Sequence, residues 1–314
     1  MRHWPTARWR LSALAGSPRD LVTSPLEGEV GERKLAGRGV AFKFSRFGWA
    51  LCAALLLAAH AAAQQALPPP PRARSTPPRA QPVTPRAATS ALPAGFVHLR
   101  AVDPSIRQDM RYATPFNFTG KRVPGYEAGE CLLLRPVAEA LARAQRRLWA
   151  QGFSLKVYDC YRPVRAVRSF IAWSQGPEPD TMGPIFSPHV PKEEQFARGY
   201  LAKRSRHSLG IAVDVGLVRA SDPVFPTPST AGRCDGPFAA RARESSLDFG
   251  TAYDCSSPLS ATASSRVSAE AQANRARLKQ ALAAEGFRNY RLEWWHFDFT
   301  GATAPLRHHD FPVR

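Results

Sequence analysis

No apolar run in the chain reaches the roughly 18 residues that cross a bilayer as a stable helix, so no stable membrane anchor is expected. No two cysteines stand in C-x-x-C spacing, which removes the usual signature of a cysteine-built zinc site. Internal repeats are absent, as is a regular βαβ alternation, and a doubly wound parallel sheet is therefore not expected. Acidic residues are scarce. Against 43 Lys and Arg there are 25 Asp and Glu, a formal net charge of +18. Such an excess favours anionic surroundings: nucleic acid, a membrane surface or an anionic wall polymer. The basic residues are scattered, without a dense Lys/Arg run or a basic stripe interleaved with aromatics, so nucleic acid is not an expected partner.

What the chain does contain divides it in three. Its 314 residues are 44% hydrophobic, enough for one substantial core, and many of its 29 prolines crowd between Leu67 and Pro93. In the leader, residues 1–63, Lys43 and Arg46 precede an apolar run at Trp49–Ala59, and Ala61-Ala62-Ala63 then stands before Gln64. That is the order of a cleaved signal peptide, so an exported protein, periplasmic or secreted, is expected. Cys52 lies inside the run without a small-residue lipobox, and lipidation is not expected. Residues 1–41 carry no periodic apolar pattern; translation is expected to start downstream of Met1, at a codon other than Met. Residues 64–95, rich in Pro and Ala, cannot bury enough surface to offset their ordering entropy and read as a disordered linker.

The folded domain is predicted over 96–314. The segment 96–102 reads as a strand, 134–151 as a helix capped by Gly152, and 153–159 as a buried strand. A helix is predicted over 164–173, a strand within 205–219, a helix over 267–285 closed by Gly286, and a last strand over 291–299. Strands and helices interleave irregularly, which predicts a single α+β domain with a largely antiparallel central sheet and flanking helices. Four cysteines follow the leader: Cys131, Cys160, Cys234 and Cys255. An even count in an exported chain predicts disulfides, with three possible pairings. Cys131–Cys160 with Cys234–Cys255 is the expected one, four buried thiols being the alternative.

Two segments carry the chemistry. One is Ser205-Arg206-His207-Ser208-Leu209-Gly210-Ile211-Ala212-Val213-Asp214; the other is Glu293-Trp294-Trp295-His296. A catalytic zinc takes three His or carboxylate ligands and keeps its fourth position for water. Two His and one Asp supply such a set and leave the ion a strong Lewis acid, while a carboxylate outside the ligand set can move the water's proton. Taken singly, each residue has a structural reading as core, turn or groove wall; their joint occurrence in this order is what points to chemistry.

The S-x-H-x-x-G-x-A-x-D pattern at 205–214 with E-W-W-H at 293–296 resembles the zinc D-Ala-D-Ala dipeptidases of the VanX type, which share a small α+β fold with hedgehog signalling domains. Further similarity lies in Arg111-Tyr112-Ala113-Thr114-Pro115-Phe116-Asn117-Phe118-Thr119-Gly120, in Tyr158-Asp159-Cys160-Tyr161-Arg162-Pro163, and in Leu247-Asp248-Phe249-Gly250 followed by Tyr253-Asp254. The resemblance covers about residues 96–300. It implies one Zn2+ per chain on His207, Asp214 and His296, Glu293 as general base, and Arg162 stabilising the oxyanion. It also implies that Asp248 reads the substrate ammonium and that Ser205 and Tyr112 line the pocket. The expected partner is the small dipeptide D-Ala-D-Ala, with peptidoglycan fragments as a second class. The chain departs from the pattern at Cys160, where Gly is common, and at Arg206, where a small residue is common; the loops 174–204 and 220–245 also look longer. A D,D-carboxypeptidase acting on stem peptides and a non-catalytic zinc-containing wall-binding module are the alternative readings.

Overall fold

The computed structural model describes residues 92–314 apart from 225–226, 243–244 and 303–304. The leader and all of the linker up to residue 91 lie outside the described residues. Ordered packing begins slightly before Phe96: Leu92 lies against an aromatic cluster, and the Pro93 carbonyl accepts from Phe96 N at 3.0 Å.

The elements run β1 (Phe96–His98), α1 (Leu99–Val102), β2 (Arg107–Gln108), β3 (Leu132–Leu134), α2 (Arg135–Trp149), β4 (Phe153–Asp159), α3 (Val164–Gln175), α4 (Gly183–Phe186), β5 (Ala212–Arg219), α5 (Ala269–Ala283), β6 (Phe287–Asn289) and β7 (His296–Phe299). β1 and β3 form a small antiparallel pair. The central sheet has the order β2-β4-β5-β7-β6, in which only β2 and β4 run parallel. The protein is thus α+β with a largely antiparallel sheet.

Two predicted strands differ. The 96–102 segment leaves the extended state at His98, because Leu99 N bonds to the Cys131 carbonyl and Asp103 N then closes a helical turn onto Leu99 O. The predicted 291–299 strand begins only at His296; residues 290–295 are the loop of a β6–β7 hairpin. Asn289 closes that loop, its Nδ2 donating to the carbonyls of Glu293 and His296 at 3.0 Å each.

Helices follow their apolar spacing. Val137, Ala138, Leu141, Ala144 and Leu148 of α2 lie on one helical face and are all buried. Ser268 caps α5 by accepting from Ala271 N at 3.1 Å. In β5 the two-residue alternation sends Val213, Val215 and Leu217 into the core against these helices and leaves Asp214 and Gly216 for the opposite face. That face carries the chemistry. Cross-strand register pairs Asp214 with Asp159 of β4 on one side and with His296 of β7 on the other. Both expected disulfides are formed, Cys131–Cys160 and Cys234–Cys255, with Cα separations of 5.3 and 5.5 Å.

Gly210 ends the turn that carries His207 and sits at φ +73°, where a Cβ would stand 2.6 Å from the Phe96 ring. Gly210→Ala should therefore lower stability by at least about 1–2 kcal/mol, read as a drop in the urea midpoint. An unchanged midpoint would show that the turn does not need this conformation.

Candidate active site

His207 is presented by a single 3-10 turn, Arg206–Leu209, opened by Ser205, whose Oγ accepts from His207 N at 3.3 Å. Asp214 follows on β5 and His296 at the start of β7. Their donor atoms meet at one point: His207 Nε2 lies 3.1 Å from His296 Nδ1 and 3.3 Å from Asp214 Oδ1, and His296 Nδ1 lies 3.1 Å from the same oxygen. Ligand atoms on a tetrahedral ion with bonds of about 2.0–2.1 Å stand roughly 3.3–3.4 Å apart. The triangle is therefore the size a small divalent metal requires, and the three residues could hold one.

The surrounding hydrogen bonds set the tautomers. His207 Nδ1 donates to the Cys160 carbonyl at 2.7 Å, and His296 Nε2 faces Asp298 Oδ1 at 3.3 Å. In the neutral form of each ring the opposite nitrogen would turn its lone pair toward a metal at the centre, the arrangement that outer hydrogen bonds impose on metal-binding imidazoles; without a metal, Asp214 and Asp298 outweigh burial and raise His296 to about 10. Asp214 turns one oxygen inward; the other accepts from Tyr253 OH at 3.1 Å and lies 3.6 Å from Arg162 Nη2. Burial alone would raise its pKa, but the two imidazoles hold it far below the ordinary carboxylate range.

The other predicted residues divide. Glu293, Arg162, Tyr112 and Ser205 line the same pocket, about 340 Å³, together with the three donors. Glu293 is buried, and that burial, with repulsion from Asp214 and Asp254, pushes its carboxyl up to about 8 against the pull of His296 and Arg162. Arg162 is held in place by Asp159, with both Nε and Nη2 2.9 Å from Oδ2, and lies over the Tyr112 ring. Its Nη1 has no partner among the described residues. Trp294 is core, stacked on Phe249, whereas Trp295 forms pocket wall.

Asp248 is not brought to the pocket. Its carboxylate pairs with Arg241 at 2.9 Å and accepts from Gly250 N at 2.7 Å, so it shapes the turn after it. The carboxylate that does face the pocket is Asp254, which accepts from Tyr112 OH at 3.0 Å. Burial and then repulsion from Asp214 raise it to about 7. Asp254 sits at φ +63°, a conformation a non-glycine residue adopts only when its surroundings enforce it; Cys255, beside it, is fixed by disulfide. The sequence signal for Asp254 was its place next to Tyr253, but nothing in the pattern told the two acids apart. Tyr200, Arg204 and Asp298 also line the pocket and carried no sequence signal.

A His-Asp-His triangle with a buried glutamate and a fixed guanidinium in one pocket is the residue set of a metal-dependent hydrolase. A family model described as D-Ala-D-Ala dipeptidase, peptidase M15, matches residues 93–225 and 224–314. A D-alanyl-D-alanine dipeptidase of Enterococcus faecium is 32% identical over 220 residues, 70% of this chain and 98% of the relative. One from Streptomyces coelicolor is 37% identical over 208 residues, 66% of this chain and 93% of the relative. One from Escherichia coli is 26% identical over 208 residues, 86% of its length. The chain belongs to the M15 D-Ala-D-Ala dipeptidase family.

Elemental analysis of the purified protein should find one divalent metal per chain, and His207→Ala should lose it, since two ligands hold such an ion too weakly. Full occupancy in His207→Ala would remove that residue from the ligand set.

Proposed function

We propose that this protein is an exported zinc-dependent dipeptidase that hydrolyses D-Ala-D-Ala to two D-alanines. The observation that carries the reading is the joint presence, in one small pocket, of the three convergent donors, Glu293 and a charge reader for each end of a free dipeptide. Two imidazoles and a carboxylate suit zinc in its catalytic form. Bound there, zinc would supply Lewis acidity and lower the pKa of a water toward 7.

The chain's own residues perform the rest. Glu293, ionised once a divalent charge beside it offsets the burial and repulsion that raise it, takes a proton from the attacking water and passes it to the amine of the departing D-alanine as the C–N bond breaks. Arg162, preorganised by Asp159, meets the negative charge that builds on the carbonyl oxygen. Asp254, backed by the Tyr112 hydroxyl, holds the substrate ammonium. Arg206 answers the carboxylate end: its Nε is committed to Asp298 at 3.0 Å, and its terminal nitrogens have no partner among the described residues. Recognition of both charged ends favours a free dipeptide over a stem peptide, whose chain would continue through the site of the ammonium. The two disulfides support an oxidising compartment, in keeping with the signal read at 42–64.

Full-length protein should release D-alanine from D-Ala-D-Ala in a chelator-sensitive manner, and N-acylation of the dipeptide should reduce kcat/KM by at least about tenfold, the worth of one charged contact. Equal rates on the free and acylated compounds would overturn the dipeptidase reading. Glu293→Gln should keep its metal and lose at least about 100-fold in kcat; turnover near wild type would remove Glu293 as the base.

Asp254→Asn separates substrate reading from folding. A carboxyl raised toward 7 is protonated below that pH, so recognition of the ammonium is lost as pH falls through it. The same raised pKa means that ionising the group costs folding stability as pH rises. Asp254→Asn should raise KM at least about tenfold, flatten the rise of kcat/KM with pH near 7, and leave the thermal midpoint unchanged or higher. An unaltered KM would place the ammonium elsewhere.

A further inference from the structure

Beside the catalytic pocket lies a second groove, about 650 Å³, between α3, the 203–208 segment and the C-terminal residues 306–308. Arg168, Lys203, Arg204, Arg307 and His308 line it, and no acidic residue does. The Arg and Lys side chains there are exposed and have no ion-pair or hydrogen-bond partner among the described residues. Elsewhere exposed arginines are commonly paired, as Arg100 is with Glu130, Arg165 with Asp310 and Arg314 with Glu127. Like charges drawn together without counter-charges cost energy that a bound anion would remove. The crowding is felt locally: burial first, then Arg204, lowers the pKa of His308.

The floor between the cations is apolar, formed by Val164, Val167 and Ile171.

We propose that this groove binds a linear, phosphate-bearing polyanion. Guanidinium and ammonium groups match the oxygens of a phosphate. Four unpaired full charges in a groove of this size exceed what one phosphate neutralises. The apolar floor suits the short carbon linkers that separate phosphates in a phosphodiester chain. A flat membrane surface fits less well, because the cations line a concavity. Arg204 and Ser205 border both the groove and the catalytic pocket, so a bound chain lies against the mouth of the active site. The proposal does not depend on which dipeptide is hydrolysed.

The test titrates full-length protein with a synthetic glycerol-phosphate hexamer, with inorganic phosphate, and with phosphatidylglycerol vesicles. The hexamer should bind more tightly than inorganic phosphate, with affinity falling as salt rises. Arg168→Gln/Arg307→Gln should weaken it by at least about tenfold and reduce the salt slope by roughly one to two, while D-Ala-D-Ala hydrolysis stays unchanged as a check on folding. Arg122→Gln/Arg288→Gln removes the same net charge from exposed positions outside the groove and should leave binding intact. Equal weakening by both pairs would reduce the effect to net charge and overturn the groove assignment. Saturation by inorganic phosphate with the hexamer's affinity, or capture by vesicles without hexamer binding, would overturn the linear polyanion.

Discussion

Asp214 stands between Asp159 and His296 in the register of three neighbouring strands, and nearly every feature of the site follows from that placement. Antiparallel neighbours on one face of a sheet bring side chains within about 5 Å of each other without loop ordering. Two of the three donors are thus fixed by the central sheet itself. His207 comes from outside the sheet, and its ring is anchored to the carbonyl of Cys160, the residue that follows β4. A one-residue slip of β5 would send Asp214 into the core and Val213 into the site, so the core packing of Val213, Val215 and Leu217 protects the donor geometry.

Charge explains why this geometry is unsatisfied alone. Asp159, Asp214, Asp254 and Glu293 crowd one region, with Arg162 as the firmly held cation among them. Burial first, and then repulsion between the acids, raises Asp254 and Glu293, while the imidazoles overcome burial to depress Asp214. A divalent cation in the triangle and an ammonium at Asp254 would relieve the repulsion from two sides. A metal in the triangle and a cation at Asp254 would thus draw on one electrostatic deficit that the fold itself builds.

The sequence was legible where chemistry is tied to local spacing. His207 with Asp214, and Glu293 with His296, lie within single short segments whose turns fix their separation. The core helices showed their apolar period, and the alternation in β5 was plain. What could not be read was long-range. Asp248 and Asp254 sit in one irregular segment, and only the pairing of Asp248 with Arg241 decides which acid is spent on structure. The hairpin hidden in 287–299 escaped because its loop is aromatic rather than Gly- or Asn-rich, and Asn289, the residue that closes it, stands before the segment that looked like a strand. The basic groove was invisible as a motif, since its cations come from positions far apart in the chain.

Arg206 and Asp298 show how a departure from a family pattern can be absorbed. An arginine in place of a small residue beside His207 would repel a cation in the triangle if it swung freely. Asp298 prevents this: it ties Arg206 Nε at 3.0 Å and also faces His296 Nε2 at 3.3 Å. Burial alone would raise the pKa of Asp298, but His296 first and then Arg206 hold it below the ordinary carboxylate range. One carboxylate therefore orients the His296 imidazole and restrains a guanidinium whose remaining donors stay with the pocket. The pair works as a unit: an Arg without the Asp would disturb the triangle, and an Asp without the Arg would add one more uncompensated acid to a region already short of positive charge.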